Sequence, residues 1–87
     1  MNVNNTITQA EIDDLISKSQ INVRTVFAKC TIVSVQLPNG FVLVESSSCV
    51  DPLNYSEAMG MSICIERIKN RLWELEGYRL QCELGGK

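Results

Sequence analysis

Six apolar residues, Ala58, Met61, Ile65, Ile68, Leu72 and Leu75, follow one another at intervals of 3, 4, 3, 4 and 3. Such intervals keep all six on one side of an α-helix, and a helix with an apolar stripe must bury it against something. The spacing predicts a helix from about Asn54 to Glu76, opened by Asn54 and Glu57 as a capping box and closed by Gly77 in the left-handed conformation. Gly60 lies inside this stretch. A glycine there costs the helix about 1 kcal/mol relative to alanine, so its presence argues for close approach of another backbone. The rest of the chain has to furnish the surface that covers the stripe.

Upstream, Thr8 and Glu11 have capping-box spacing and Ile7 and Ile12 can close a hydrophobic staple, which starts a short helix at about Gln9. Ile12, Leu15 and Ile16 form its apolar face, and the pattern fades near Ser19 and Gln20. From Val23 to Leu37 the period changes to two and β-branched residues dominate, which predicts a strand. Pro38-Asn39-Gly40 then reverses the chain into a second strand over Phe41 to Glu45. Ser46 to Pro52 breaks the alternation and reads as a shaped loop. After Gly77, Tyr78, Leu80, Cys82 and Leu84 alternate with Arg79, Gln81 and Glu83, the pattern of a half-buried third strand.

The expected architecture is therefore α+β: a three-stranded antiparallel sheet, built from a β-hairpin plus a C-terminal strand, packed by one long helix and a short N-terminal helix. The element order is helix, strand, strand, helix, strand. Pairing of the third strand beside the first gives strand order 2-1-3; parallel pairing with the second strand through a right-handed crossover is the alternative. With 87 residues the chain can enclose only one core, so 1–87 is read as a single domain with flexible tails at 1–6 and 85–87.

Composition narrows the function classes. Eight basic and ten acidic residues are interleaved, for a formal net charge of −2. That balance lacks the clustered cations that non-specific nucleic-acid binding requires. No apolar run reaches the roughly 18 residues of a membrane span, and Met1 to Thr6 is polar rather than signal-like, so the chain is expected to stay in the cell that makes it. Cys30, Cys49, Cys64 and Cys82 are separated by 19, 15 and 18 residues. Reduced thiols are expected in the absence of a signal-like segment, and the paired short spacings of structural zinc sites are missing.

Residues fit for catalysis are few. There is no histidine, so a nucleophile would depend on a carboxylate or a lysine for its activation. Cys49 stands between three serines and Asp51 ahead of a helix, where the helix dipole favours a thiolate; the competing reading is a small side chain plugging the seam between sheet and helix. Glu45 and Asp51 flank the same loop and either pair as acid and base or simply make local hydrogen bonds. Neither a catalytic set, a cofactor nor a metal is assigned. The loop Glu45, Ser46, Ser47, Ser48, Cys49 and Asp51 is the candidate ligand or partner site, open to a small anion because the following helix offers free amides. Met59, Ile63 and Trp73 lie off the main stripe and form a candidate interface for a homodimer or a host protein, unless the first helix covers them.

Three segments carry a resemblance: Asn39-Gly40-Phe41, Cys49-Val50-Asp51-Pro52 and Leu75-Glu76-Gly77-Tyr78. Together with the stretches around them, from about Ile7 to Leu84, they resemble a family of small tailed-phage proteins known by gene 49 of coliphage N4 and gene 66 of a Shigella phage. The resemblance implies a viral accessory protein working in the cytoplasm of the infected bacterium. By analogy with small phage proteins that bind host factors, it points to a non-enzymatic protein that binds a host or phage protein, as an inhibitor of a host process or defence. The alternative is a protein that sequesters a small ligand or nucleotide signal through the 46–51 loop at a subunit junction.

Overall fold

A computed structural model describes residues 6–85. Of the tails expected at 1–6 and 85–87, residues 1–5 and 86–87 lie outside those described. Thr8 caps the first helix, α1 (Gln9–Ser17), accepting the Glu11 amide proton on its Oγ1 at 3.2 Å. The staple forms as well: Ile12 is fully buried and Ile7 packs against the same cluster. Three strands follow, β1 (Gln20–Val26), β2 (Cys30–Gln36) and β3 (Val42–Ser48), in an antiparallel meander of order β1-β2-β3. A 3-10 turn, Pro52–Asn54, leads into the long helix α2 (Glu57–Glu83).

Alternation in β2 decides where the core lies. Thr31, Val33 and Val35 are buried on the face toward α2, with Leu43 of β3 beside Val35. Cys64, Ile68 and Leu72 of α2 pack onto them, and Ile12 of α1 completes the cluster. The sheet is covered on that side alone: Val42 and Val44, on the opposite face, are half exposed. The α+β class, the three-stranded antiparallel sheet and the two helices agree with expectation, but several local assignments are corrected. Ser46, Ser47 and Ser48, expected in a loop, pair with Ile32, Thr31 and Cys30 as the end of β3, the ladder to β2 outweighing the local bonding of serine side chains.

The run from Val23 to Leu37 belongs to two strands. Between them Phe27 and Ala28 take positive φ, 55° and 59°, and the Lys29 amide closes the turn on the Val26 carbonyl at 3.3 Å. No Gly, Asn or Pro marks this turn, although 15 residues is long for one strand.

The expected C-terminal strand is helix. α2 runs through Gly77 to Glu83 and is capped at Leu84, with Gly85 taking the positive φ expected of Gly77. Arg79 holds the last turns together, paired with Glu76 at 3.2 Å and with Glu83 one turn on. The order is therefore helix, three strands, helix, and neither the 2-1-3 arrangement nor the parallel crossover occurs.

α2 starts later than expected: Ser56 is its N-cap and accepts the Met59 amide at 3.3 Å, while Asn54 ends the 3-10 turn. Its most buried row is Gly60, Cys64, Ile68 and Leu72. Met61 and Ile65 are half-buried, Ala58 is exposed and Leu75 is 40% exposed. This is an i, i+4 ridge, the row that seats a helix in a groove of the surface beneath it, and Gly60 opens the helix backbone to Thr31. Lys69 reaches Asp13 of α1 at 3.1 Å and Arg71 reaches Glu45 of β3 at 3.4 Å, so these charges tie elements together.

Candidate functional site

The two sides of α2 do different work. On one, Lys69 and Trp73 lie toward α1, and Trp73 packs against the core. On the other, Arg67 and Arg71 sit one turn apart along β3. Arg67 donates to the Ser46 carbonyl at 2.7 Å, and Arg71 donates to the Val44 carbonyl at 3.2 Å. Outward carbonyls of an edge strand invite another strand, and two guanidinium groups occupy them here.

Beyond the arginines, where β3 ends and α2 begins, the surface opens into a cleft of about 130 Å³. Ser47, Ser48 and Cys49 form one wall, Met59 and Ile63 another, with Asn54, Tyr55, Ser56 and Gly60 completing it. Met59 is 67% and Ile63 40% exposed. The chain that closes this end is held by short local bonds. The Cys49 thiol donates to the Asp51 carbonyl at 3.2 Å, and the Asp51 carboxylate accepts the Leu53 amide at 2.9 Å.

Tyr55 anchors the cleft to the sheet. Its hydroxyl lies 2.6 Å from Thr31 Oγ1 and 2.7 Å from Thr25 Oγ1, and Thr25 donates to Glu57 Oε2 at 2.5 Å. A carboxylate only accepts, so Thr25 spends its proton on Glu57. The three contacts are then all satisfied in one order: Thr31 donates to Tyr55, Tyr55 to Thr25, and Thr25 to Glu57. The fully buried Thr31 hydroxyl gains a partner in this way.

The structure thus brings together five of the nine candidate residues, Ser47, Ser48, Cys49, Met59 and Ile63. It places Glu45 with Arg71, gives the Ser46 carbonyl to Arg67, and uses Asp51 as a cap. Trp73 leaves the expected interface group, since it lies on the α1 side of α2 and Met59 and Ile63 lie on the β3 side. Glu45 and Asp51 serve separate local contacts. The four cysteines are free thiols. Burial pushes the Cys64 thiol up from its ordinary value, and the nearby Arg67 offsets this in part. No group of His, Cys, Asp and Glu suited to a metal occurs among the described residues, and none of their helices is long and apolar enough to cross a membrane.

Three apolar residues that the sequence reading passed over belong to the same end. Val50 is 93%, Leu53 92% and Phe27 88% exposed. Lys29 locates Phe27 there: its carbonyl accepts the Cys49 amide at 2.9 Å and its Nζ reaches the Val50 carbonyl at 3.4 Å. A usable signal was present in Val50 and Leu53, apolar residues set in a turn otherwise made of Asp, Pro and Asn.

The profile of the phage protein (N4 Gp49/phage Sf6 gene 66) family matches residues 7–84. The chain belongs to this family. The match begins one residue before the α1 cap and ends on the residue that caps α2, so it spans the whole helix, sheet and helix assembly. No curated protein and no solved structure matches the chain.

Proposed function

We propose that this member of the phage family is a non-enzymatic binding module that docks a host or phage protein on the end of the molecule formed by Phe27, Val50, Leu53, Met59 and Ile63. One observation carries the reading: five large apolar side chains are exposed at one end of the molecule, Met59 and Ile63 lining the cleft and Phe27, Val50 and Leu53, each at least 88% exposed, on the turns at the same end. Scattered exposed apolar residues need no explanation, but a cluster at one end of a small chain is the composition of a contact surface. The cleft is below the roughly 300–1,000 Å³ of small-molecule pockets and is of a size for a single side chain. That favours a protein partner over a nucleotide-like ligand, which would need a second subunit to enlarge the site. Membership of a phage family supports action in the cytoplasm of the infected bacterium, by occupying a surface of a host factor.

Affinity purification from infected cells, run in parallel with the native chain and with Val50→Asp/Leu53→Asp, tests this. Both positions are over 90% exposed, so the variant should keep its melting temperature. The expected result is a stoichiometric protein partner retained by the native chain and lost by the variant. Equal recovery by both, or no stoichiometric partner for the native chain, would contradict the reading.

A further inference from the structure

We propose that the chain forms a two-fold dimer by antiparallel pairing of β1 with the β1 of a second copy, making a continuous six-stranded sheet. The inference is independent of the docking end described above and starts from the contrast between the two sheet edges.

At the β3 edge, Arg67 and Arg71 occupy the outward carbonyls of Ser46 and Val44. Those contacts also fix which residues face outward throughout the sheet. Antiparallel pairing alternates, so if Val44 and Ser46 turn away from β2, then Leu43, Glu45 and Ser47 pair with Val35, Val33 and Thr31. The even-numbered residues of β2 then face β1 and pair with Gln20, Asn22, Arg24 and Val26. Ile21, Val23 and Thr25 are left with their amides and carbonyls directed outward.

Among the described residues, β1 carries few of the devices that normally protect such an edge, Arg24 being its one charge. Its seven residues, Gln20 to Val26, include no Pro, Gly or Lys, and the register with β2 runs through without a bulge. Ile21, on the helix side of the sheet, is 39% exposed and Val23 beside it is only half-buried.

The edge is complementary to itself. A two-fold axis at Val23 sets Val23 against the partner's Val23, and Ile21 against the partner's Thr25. These are the outward-facing residues, so each pair exchanges two main-chain hydrogen bonds, and β-branched side chains meet on the helix side. On the other face Arg24, the one charge in the strand, meets the partner's Asn22 and no like charge. With β3 closed by its arginines, addition stops at two copies, giving a closed dimer in place of a growing sheet.

The test uses the full chain and two exposed positions on the outer face, Asn22 and Arg24. Sedimentation across a dilution series should show a species of twice 9.7 kDa. Asn22→Arg places a cation opposite Arg24 at two symmetric points and should weaken the dimer about tenfold or more, with an unchanged far-ultraviolet spectrum. Asn22→Arg/Arg24→Glu sets an introduced cation against an introduced carboxylate and should restore association. In the native dimer the amides of Ile21, Val23 and Thr25 should exchange slowly, and in Asn22→Arg rapidly. A 9.7 kDa species throughout, a dimer indifferent to Asn22→Arg, or failure of the double variant to recover would overturn the proposal.

Discussion

Gly60 lies so close to Thr31 that a Cβ built on the glycine would stand 2.0 Å from the threonine Oγ1 and 2.7 Å from its Cβ. The contact seats the N-terminal part of α2 on β2. Gly77, further along the same helix, has nothing within 4 Å of the equivalent position. Alanine should therefore act with opposite sign at the two sites. Gly60→Ala gains about 1 kcal/mol of helix propensity but must displace a side chain in the packed core, for a net loss of about 1–3 kcal/mol. Gly77→Ala should gain about 0.5–1 kcal/mol. Urea unfolding of the two variants measures both, and a smaller loss for Gly60→Ala in a Thr31→Ala background would locate the clash.

Tyr55→Phe removes the hydroxyl that links Thr31 to Thr25 while leaving the ring in place. The Thr31 hydroxyl, fully buried, then loses its partner. An unsatisfied buried hydroxyl costs about 1–3 kcal/mol, and a fall of that size in unfolding free energy is expected. A change below about 0.3 kcal/mol would mean that Thr31 finds another partner.

Arg67→Ala/Arg71→Ala exposes the Ser46 and Val44 carbonyls at the β3 edge. The lost bonds are exposed, so the stability change should be only about 1 kcal/mol. Association should change more, because the sheet then has two open edges. Light scattering should show species larger than those of the native chain, and an unaltered size distribution would show that the arginines do not guard the edge.

Burial holds the Cys64 thiol protonated above its ordinary value of 9.0. In the unfolded chain the same thiol ionises at that ordinary value, so the unfolded state releases its proton first. The sign follows: the contribution is complete below the unfolded value and is lost as pH rises from there toward the raised folded value. Comparing the native chain with Cys64→Val across pH 8 to 10.5 (about the span of thiol titration) isolates the effect from other groups titrating there. The native chain should lose stability faster with rising pH, and parallel curves would contradict this.

How much of this was legible follows from particular residues. The Thr8 cap, the Ile7 and Ile12 staple, the β-branched alternation of Thr31, Val33 and Val35 and the placement of Ile68 and Leu72 at the seam are local patterns, and each appears as read. Phe27 and Ala28 hid a turn because neither residue type favours positive φ; only the sheet on both sides holds them there. Tyr78 to Leu84 alternates like a strand, yet Leu, Arg, Gln and Glu are strong helix formers, and Arg79 is spaced to bridge Glu76 and Glu83 on a helix. At the site, the break between strand and helix was legible from Cys49 onward, whereas Ser46, Ser47 and Ser48 read as loop and are paired into β3, because ladder pairing with β2 outweighs the local hydrogen bonding of serine side chains. That Met59 and Ile63 would face them, with Trp73 turned to the other side, depended on how α2 rotates over the sheet.

Docking of a protein partner at the apolar end is the central proposal. Its most direct test is site-specific photocrosslinking in infected cells, with a photoreactive residue placed at Leu53, at Met59, or at Tyr78, which is 73% exposed near the far end of α2. A single discrete protein adduct from positions 53 and 59, absent at 78, is the predicted result. The same adduct from all three positions, or from 78 alone, would contradict it.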